Sequence, residues 1–211
     1  MNPGIGRDVV PLLFLVTAPS GAGKTTVGRG LLEAVPSLVR VVTCTTRSPR
    51  PGEVDGVDYH FLARGDFEAR VSAGEFLESA EVYGNGYGTL RSEVVRRMDA
   101  GSDVLLSVDV QGAETLRAKA GADSLLSGSL VSVFIMPPSL EELERRLRGR
   151  NQDSAEVIAC RLAFALSEME HWRRFDYVVV SGSREDDLAA MRGILASEKL
   201  RVGRTRGLVI G

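Results

Sequence analysis

An apolar run from Val9 to Val16, broken only by Pro11, leads into Thr17-Ala-Pro-Ser-Gly-Ala-Gly-Lys-Thr25, and a helical pattern follows from Lys24 to Val35, stopped by Pro36. No other feature limits the possible folds as tightly. A run that is apolar at nearly every position reads as a strand covered on both faces, which suits a parallel sheet between helix layers. The run is too short to span a membrane. With Arg7 before it and Ala18 after it, it loosely imitates a secretory leader. Asp8 and Pro11 interrupt that pattern, and cleavage near Ala18 would cut into the loop. The reading is therefore a strand over 12–17. The loop itself fits G-x-x-x-x-G-K-S/T with Ala18 in the first glycine position. Small residues let backbone N–H groups close on a phosphate, and the helix N-terminus adds positive potential.

The rest of the chain repeats the strand–helix rhythm. Strands are predicted at 38–43, 104–108, 131–136 and 177–180. Helices are predicted at about 90–100, 112–120, 139–148, 153–171 and 186–200, with Ser139/Glu142 and Asp153/Glu156 as capping pairs. This alternation gives an α/β three-layer sandwich, like that of P-loop NTPases, around a mostly parallel five-stranded sheet. Residues 42–88 break the rhythm. Short strands at 59–62 and 76–82, a helix near 66–73 and a Gly-Asn-Gly-Tyr-Gly turn at 84–88 imply an inserted subdomain. Residues 201–211 read as a frayed tail. Among 211 residues, 26 Lys and Arg against 28 Asp and Glu leave a net charge of −2, which excludes a globally basic nucleic-acid binder. Two cysteines, Cys44 and Cys160, make neither a disulfide framework nor a zinc site and suit a reducing cytoplasm. Oligomeric state stays open.

The second informative stretch is Thr43-Cys-Thr-Thr-Arg47-Ser-Pro-Arg50-Pro-Gly-Glu53, followed by Gly56, Asp58, Tyr59 and Phe61. Arg47 and Arg50 lie just after a strand, where two guanidinium forks can aim at one phosphate dianion, and Tyr59 adds a hydroxyl donor. Together with the loop at 18–25, this stretch resembles the guanylate kinase family, and the resemblance covers about residues 12–200.

The resemblance implies transfer of phosphate from ATP to GMP or dGMP. Ala18, Pro19, Ser20, Gly21, Ala22, Gly23, Lys24, Thr25 and Thr26 match the ATP-binding loop. Lys24 is then directed at the β- and γ-phosphates, and Thr25 at Mg²⁺. Arg47, Arg50, Tyr59 and Tyr87 match the residues that hold the GMP phosphate. Glu78 and Asp109 match carboxylates for the guanine donors, and Thr43 and Thr89 match hydroxyl positions near O6. Arg146, Arg150 and Arg161 match catalytic arginines of a mobile lid at 145–153; Arg145 and Arg148 crowd the same helix end. The core is then 11–41, 89–144 and 154–200, with 42–88 as the GMP-binding subdomain. Membrane and nucleic-acid partners are not implied. Two departures stand out. Ser107 occupies a position that is normally acidic, and Ser181-Gly182 replaces an Asn-Asp pair near adenine. Two further readings are a non-catalytic binding module and a P-loop kinase for another phosphorylated acceptor. Intact Lys24, Thr25, Arg47 and Arg50 argue against the first; Glu78, Thr89 and Asp109 argue against the second.

Overall fold

A computed structural model describes residues 6–82, 84–149 and 155–209. Its core is a five-stranded, all-parallel sheet in the order β10 (Tyr177–Val180), β9 (Leu130–Met136), β2 (Leu13–Thr17), β8 (Asp103–Ser107) and β3 (Leu38–Arg40). All five residues of β2 are buried, as expected for a central strand with helices on both faces. Alternate residues feed two cores. Leu12, Phe14 and Val16 pack with Leu31 of α1 (Lys24–Ala34) and with Met191 and Leu195 of α7 (Arg184–Lys199). Leu13 and Leu15 pack with Val94 of α3 (Arg91–Asp99), Leu116 of α4 (Val110–Lys119) and Phe134.

The insertion carries its own sheet, in the order β5 (His60–Phe61), β4 (Cys44–Thr45), β7 (Asn85–Leu90) and β6 (Phe76–Val82), with α2 (Arg64–Ser72) packed beneath it. Two predicted elements change here. The strand expected over 38–43 ends at Arg40, and the chain then leaves the core sheet to start β4 in the second one. The expected 84–88 turn is mostly strand. Gly86 pairs with Glu81 and Gly88 with Ser79, so these glycines serve close packing rather than turning. A Cβ on Gly86 would come within 2.7 Å of the Phe67 ring.

The tail is also corrected. Thr205–Val209 forms β11, which pairs antiparallel with β1 (Gly6–Val9). Arg204 is buried, donates to Glu198 at 2.9 Å and bonds the Gly128 carbonyl, while Glu198 also accepts the Tyr177 hydroxyl. A buried ion pair with hydrogen-bonded partners fixes this segment, and the mixed Arg/Gly composition gave no sign of it. Ser139 caps α5 (Leu140–Arg148) as predicted, accepting from Glu142 N–H at 3.1 Å. The Asp153/Glu156 cap lies outside the described residues; the helix that follows is α6 (Ala155–Met169).

Candidate active site

The loop between β2 and α1 sits at the C-terminal edge of the parallel sheet, where open α/β sheets hold ligands. Gly21 and Gly23 have φ of +93° and +99°, a backbone region that L side chains rarely adopt, so glycine is required at both. The left-handed Gly23 starts α1 without a side-chain cap, and the N-terminal end of the helix opens at the loop. Lys24 donates to the Val108 carbonyl at 2.7 Å, which fixes its ammonium beside the end of β8. Burial lowers the Lys24 pKa, and the carboxylates of Asp109, Glu168 and Glu78 oppose that shift.

Two clefts meet at Lys24. One is lined by the loop from Ala18 to Thr26, together with Asp109, Phe164 and Glu168. The other, about 160 Å³ in volume, is lined by Lys24, Thr43, Tyr59, Glu78, Tyr87, Ser107 and Asp109. Most of the loop residues singled out from the sequence, with Thr43, Tyr59, Glu78, Tyr87 and Asp109, therefore line two clefts that share Lys24 and Asp109; Arg47, Arg50, Thr89, Arg146 and Arg161 stand outside that lining. Arg47 lies against this second wall. Its guanidinium carbon is 5.5 Å from the centre of the Tyr59 ring, and the Tyr59 and Tyr87 rings are 6.1 Å apart. Burial raises the Tyr59 pKa.

Several of these residues also hold partners within the protein. Thr89 is fully buried and donates to Glu78 Oε1 at 2.6 Å, so it orients that carboxylate from behind. Asp109 caps α4 through Gly112 N–H at 2.8 Å, which leaves one of its oxygens for other partners. Burial pushes the Glu78 carboxyl up to about 7, with Asp109 adding to the rise and Thr89, Lys119 and Lys24 opposing it. The side chain of Arg50 is exposed at the loop rim, while its backbone N–H donates to the Glu53 carboxylate at 2.7 Å and its carbonyl accepts from Glu53 N–H at 3.0 Å. Arg145 pairs with Glu142, and Arg148 with Glu144, along the surface of α5. Arg146 also bonds Glu142 and reaches the Ala22 carbonyl at 3.4 Å. Arg161 is half-buried on α6, and Arg150 lies outside the described residues.

Four functional features were not assigned from sequence. Glu53 grips Arg47 with both oxygens at 2.9 Å. Lys119 ties α4 to β6 through the Leu77 carbonyl. Gly112 lets Glu78 approach α4, since a Cβ there would lie 2.6 Å from Glu78 Oε2. Glu168, far along the chain, closes one side of the loop cleft. Glu53 stood inside the quoted motif; its three-residue offset from Arg50 is the one signal that pointed to it.

The guanylate kinase family profile matches residues 11–198. A guanylate kinase from Paramagnetospirillum magneticum is 50% identical over 197 residues, covering 93% of this chain and 89% of that protein. The chain belongs to the guanylate kinase family. A guanylate kinase from Bradyrhizobium diazoefficiens is 48% identical over 209 residues, covering 98% of this chain and 93% of the relative. The crystal structure of guanylate kinase from Anaplasma phagocytophilum superimposes with a TM-score of 0.78 at 34% identity, covering 95% of this chain and 93% of that one. Within the guanylate kinase fold seen here, the two clefts correspond to the two motifs first read in the sequence. No described helix is long and apolar enough to cross a membrane.

Proposed function

We propose that this chain is an ATP:GMP phosphotransferase of the cytoplasm, converting ATP and GMP, or dGMP, to ADP and GDP or dGDP. One observation carries the reading: Lys24 and Asp109 line both clefts, so a donor phosphate on the loop and an acceptor on the second sheet converge on one ammonium. Phosphoryl transfer asks the protein mainly to position two substrates and to place cations around the spreading charge.

In this reading the loop N–H groups and Lys24 hold the β- and γ-phosphates of ATP. Arg47 and Arg50, with Tyr59 and Tyr87, grip the phosphate of GMP, and Glu53 keeps the Arg47 fork pointed. Glu78, aimed by Thr89, accepts from the guanine N–H edge, with Asp109 beside it and Thr43 near O6. Arg146, Arg150 and Arg161 close over the phosphates and exclude water. Thr25 stands on the first turn of α1 and offers a hydroxyl oxygen, which fits Mg²⁺, a cation commonly held by few protein ligands plus substrate phosphates. Magnesium supplies charge neutralisation at the phosphates; among the described residues no cluster of three or more acidic, His or Cys groups forms a separate metal cage.

A coupled assay of ATP with GMP, dGMP, AMP, CMP, UMP and a sugar phosphate tests this. Turnover is expected with GMP and dGMP at rates about 10⁴-fold above AMP, because a site built for buried hydrogen bonds rejects mismatched partners by that order. Preference for AMP or for the sugar phosphate would overturn the assignment.

A further inference from the structure

Glu168 is a buried carboxylate with no part in the proposed transfer. It sits near the end of α6, only 8% exposed, and it lines the same cleft as Lys24 and Thr25. Its Oε2 accepts from the Ser20 backbone N–H at 3.4 Å, a long contact to the loop built to surround phosphate. Lys24 of α1, Asp109 at the start of α4 and His171 of the 3-10 turn after α6 are the charged and titratable groups that face it.

The geometry points to Glu168 as a positioning residue for the donor loop, whose carboxylate competes with the phosphates of the incoming nucleotide for the Ser20 N–H. This rests on the reading of 18–26 as the donor-phosphate loop. Three observations carry it. The first is chemical: a carboxylate and a phosphate oxygen are both anionic acceptors, and a backbone N–H in a phosphate cradle serves either. The second is electrostatic. Glu168 and Asp109 place two acids around the cleft in which Lys24 is the facing cation, so a further polyanion meets like charge there unless the Glu168 side chain draws back. The third is mechanical. α6 packs on α5 through Leu143, Leu147, Ile158 and Ala165, and Leu147 lies so close to Gly21 that a Cβ there would come within 2.9 Å. The loop tip is thus touched by α5 at Gly21 and by α6 at Ser20. Release of Ser20 by Glu168 frees one of those two holds, and it does so when phosphate takes the N–H. The carboxylate keeps the loop tip ordered and weakens its grip on polyphosphate.

The test is equilibrium binding of pyrophosphate, ATP and GMP to the whole protein by calorimetry, for wild type, Glu168→Gln and Glu168→Asp. Glutamine keeps the shape and removes the charge; aspartate keeps the charge and draws it back by one methylene. Glu168→Gln is expected to bind pyrophosphate and ATP about tenfold more tightly than wild type, the order for removing one partly screened like charge. GMP affinity should stay unchanged. Glu168→Asp should fall between the two, and it answers the question if the glutamine variant does not fold. A residue that merely supports the fold would weaken binding of all three ligands when changed. Unchanged or weaker pyrophosphate binding in a folded variant would overturn the inference alone. Wild-type protein that binds neither ATP nor pyrophosphate would overturn the donor-loop reading, and the inference with it.

Discussion

The proposed recognition of guanine through Glu78 makes a quantitative prediction about pH. The base edge offers N–H donors, so it needs the ionised carboxylate. Burial raises that carboxyl from the ordinary 4.5 to about 7, while Thr89, Lys119 and Lys24 hold it from rising further. With a pKa near 7, roughly one tenth of Glu78 is ionised at pH 6 and about nine tenths at pH 8, so GMP affinity should fall about tenfold between pH 8 and pH 6. The GMP phosphate, with a second pKa of about 6, adds a pH dependence of its own. Glu78→Gln separates the two effects, because the variant keeps the phosphate contribution and lacks the carboxyl. Calorimetric titration of GMP from pH 6 to 8.5 should show a steeper loss of affinity for wild type than for the variant. Near pH 7 the wild type should also release a proton on binding, visible as a heat that depends on the buffer's ionisation enthalpy. The variant should bind GMP more weakly at high pH and leave ATP affinity unchanged. Parallel pH curves for the two proteins would refute the reasoning, since Glu78 would then not be the group that meets the base.

Lys24→Ala should cut turnover with GMP by well over tenfold, more than about 1.4 kcal/mol of barrier, with a circular dichroism spectrum like that of wild type. Glu53→Gln should lower kcat/KM for GMP by roughly tenfold, because a charge-assisted fork that orients Arg47 becomes a weaker, one-sided bond, and ATP affinity should not follow. Arg204→Met leaves Glu198, 2% exposed, without its main cation and should reduce stability in urea by about 3 kcal/mol. The raised Glu78 and Glu168 carboxyls bind protons more tightly folded than unfolded. Their stabilisation is complete below about 4.5 and is lost as pH rises through about 7, so unfolding free energy should fall over that window, with a smaller drop in Glu78→Gln.

The core sheet and the loop were legible because their signals are local. An apolar run, small residues and a lysine at fixed spacing carry their own geometry. Strand β7 was misread as a turn because Gly86 looks like punctuation until Phe67, nineteen positions earlier, is seen filling the space beside it. The tail was misread for the same reason, as Arg204 gains its role from Glu198 on α7 and from the Gly128 carbonyl. Thr89 and Asp109 were found by pattern, yet their hydrogen bonds to Glu78 and Gly112 turn them partly into supports. Glu168 lay more than 140 residues from Ser20, and only tertiary packing brings it to the loop.

The position of the insertion bears on how the chain assembles. Arg40 of β3 pairs with Leu105 of β8, so the core sheet cannot complete that edge until more than sixty intervening residues are gathered in. A loop of that length carries a closure entropy that grows by about 0.6 kcal/mol per doubling. If the second sheet collapses first around Phe67, Phe76 and Cys44, it shortens the effective span about fourfold and lowers the entropic barrier to the β3–β8 pairing by about 1 kcal/mol. The inserted sheet would then act as an internal folding aid for the parallel core sheet, and a packing defect such as Gly86→Ala should slow refolding of that sheet at a distance from the changed residue.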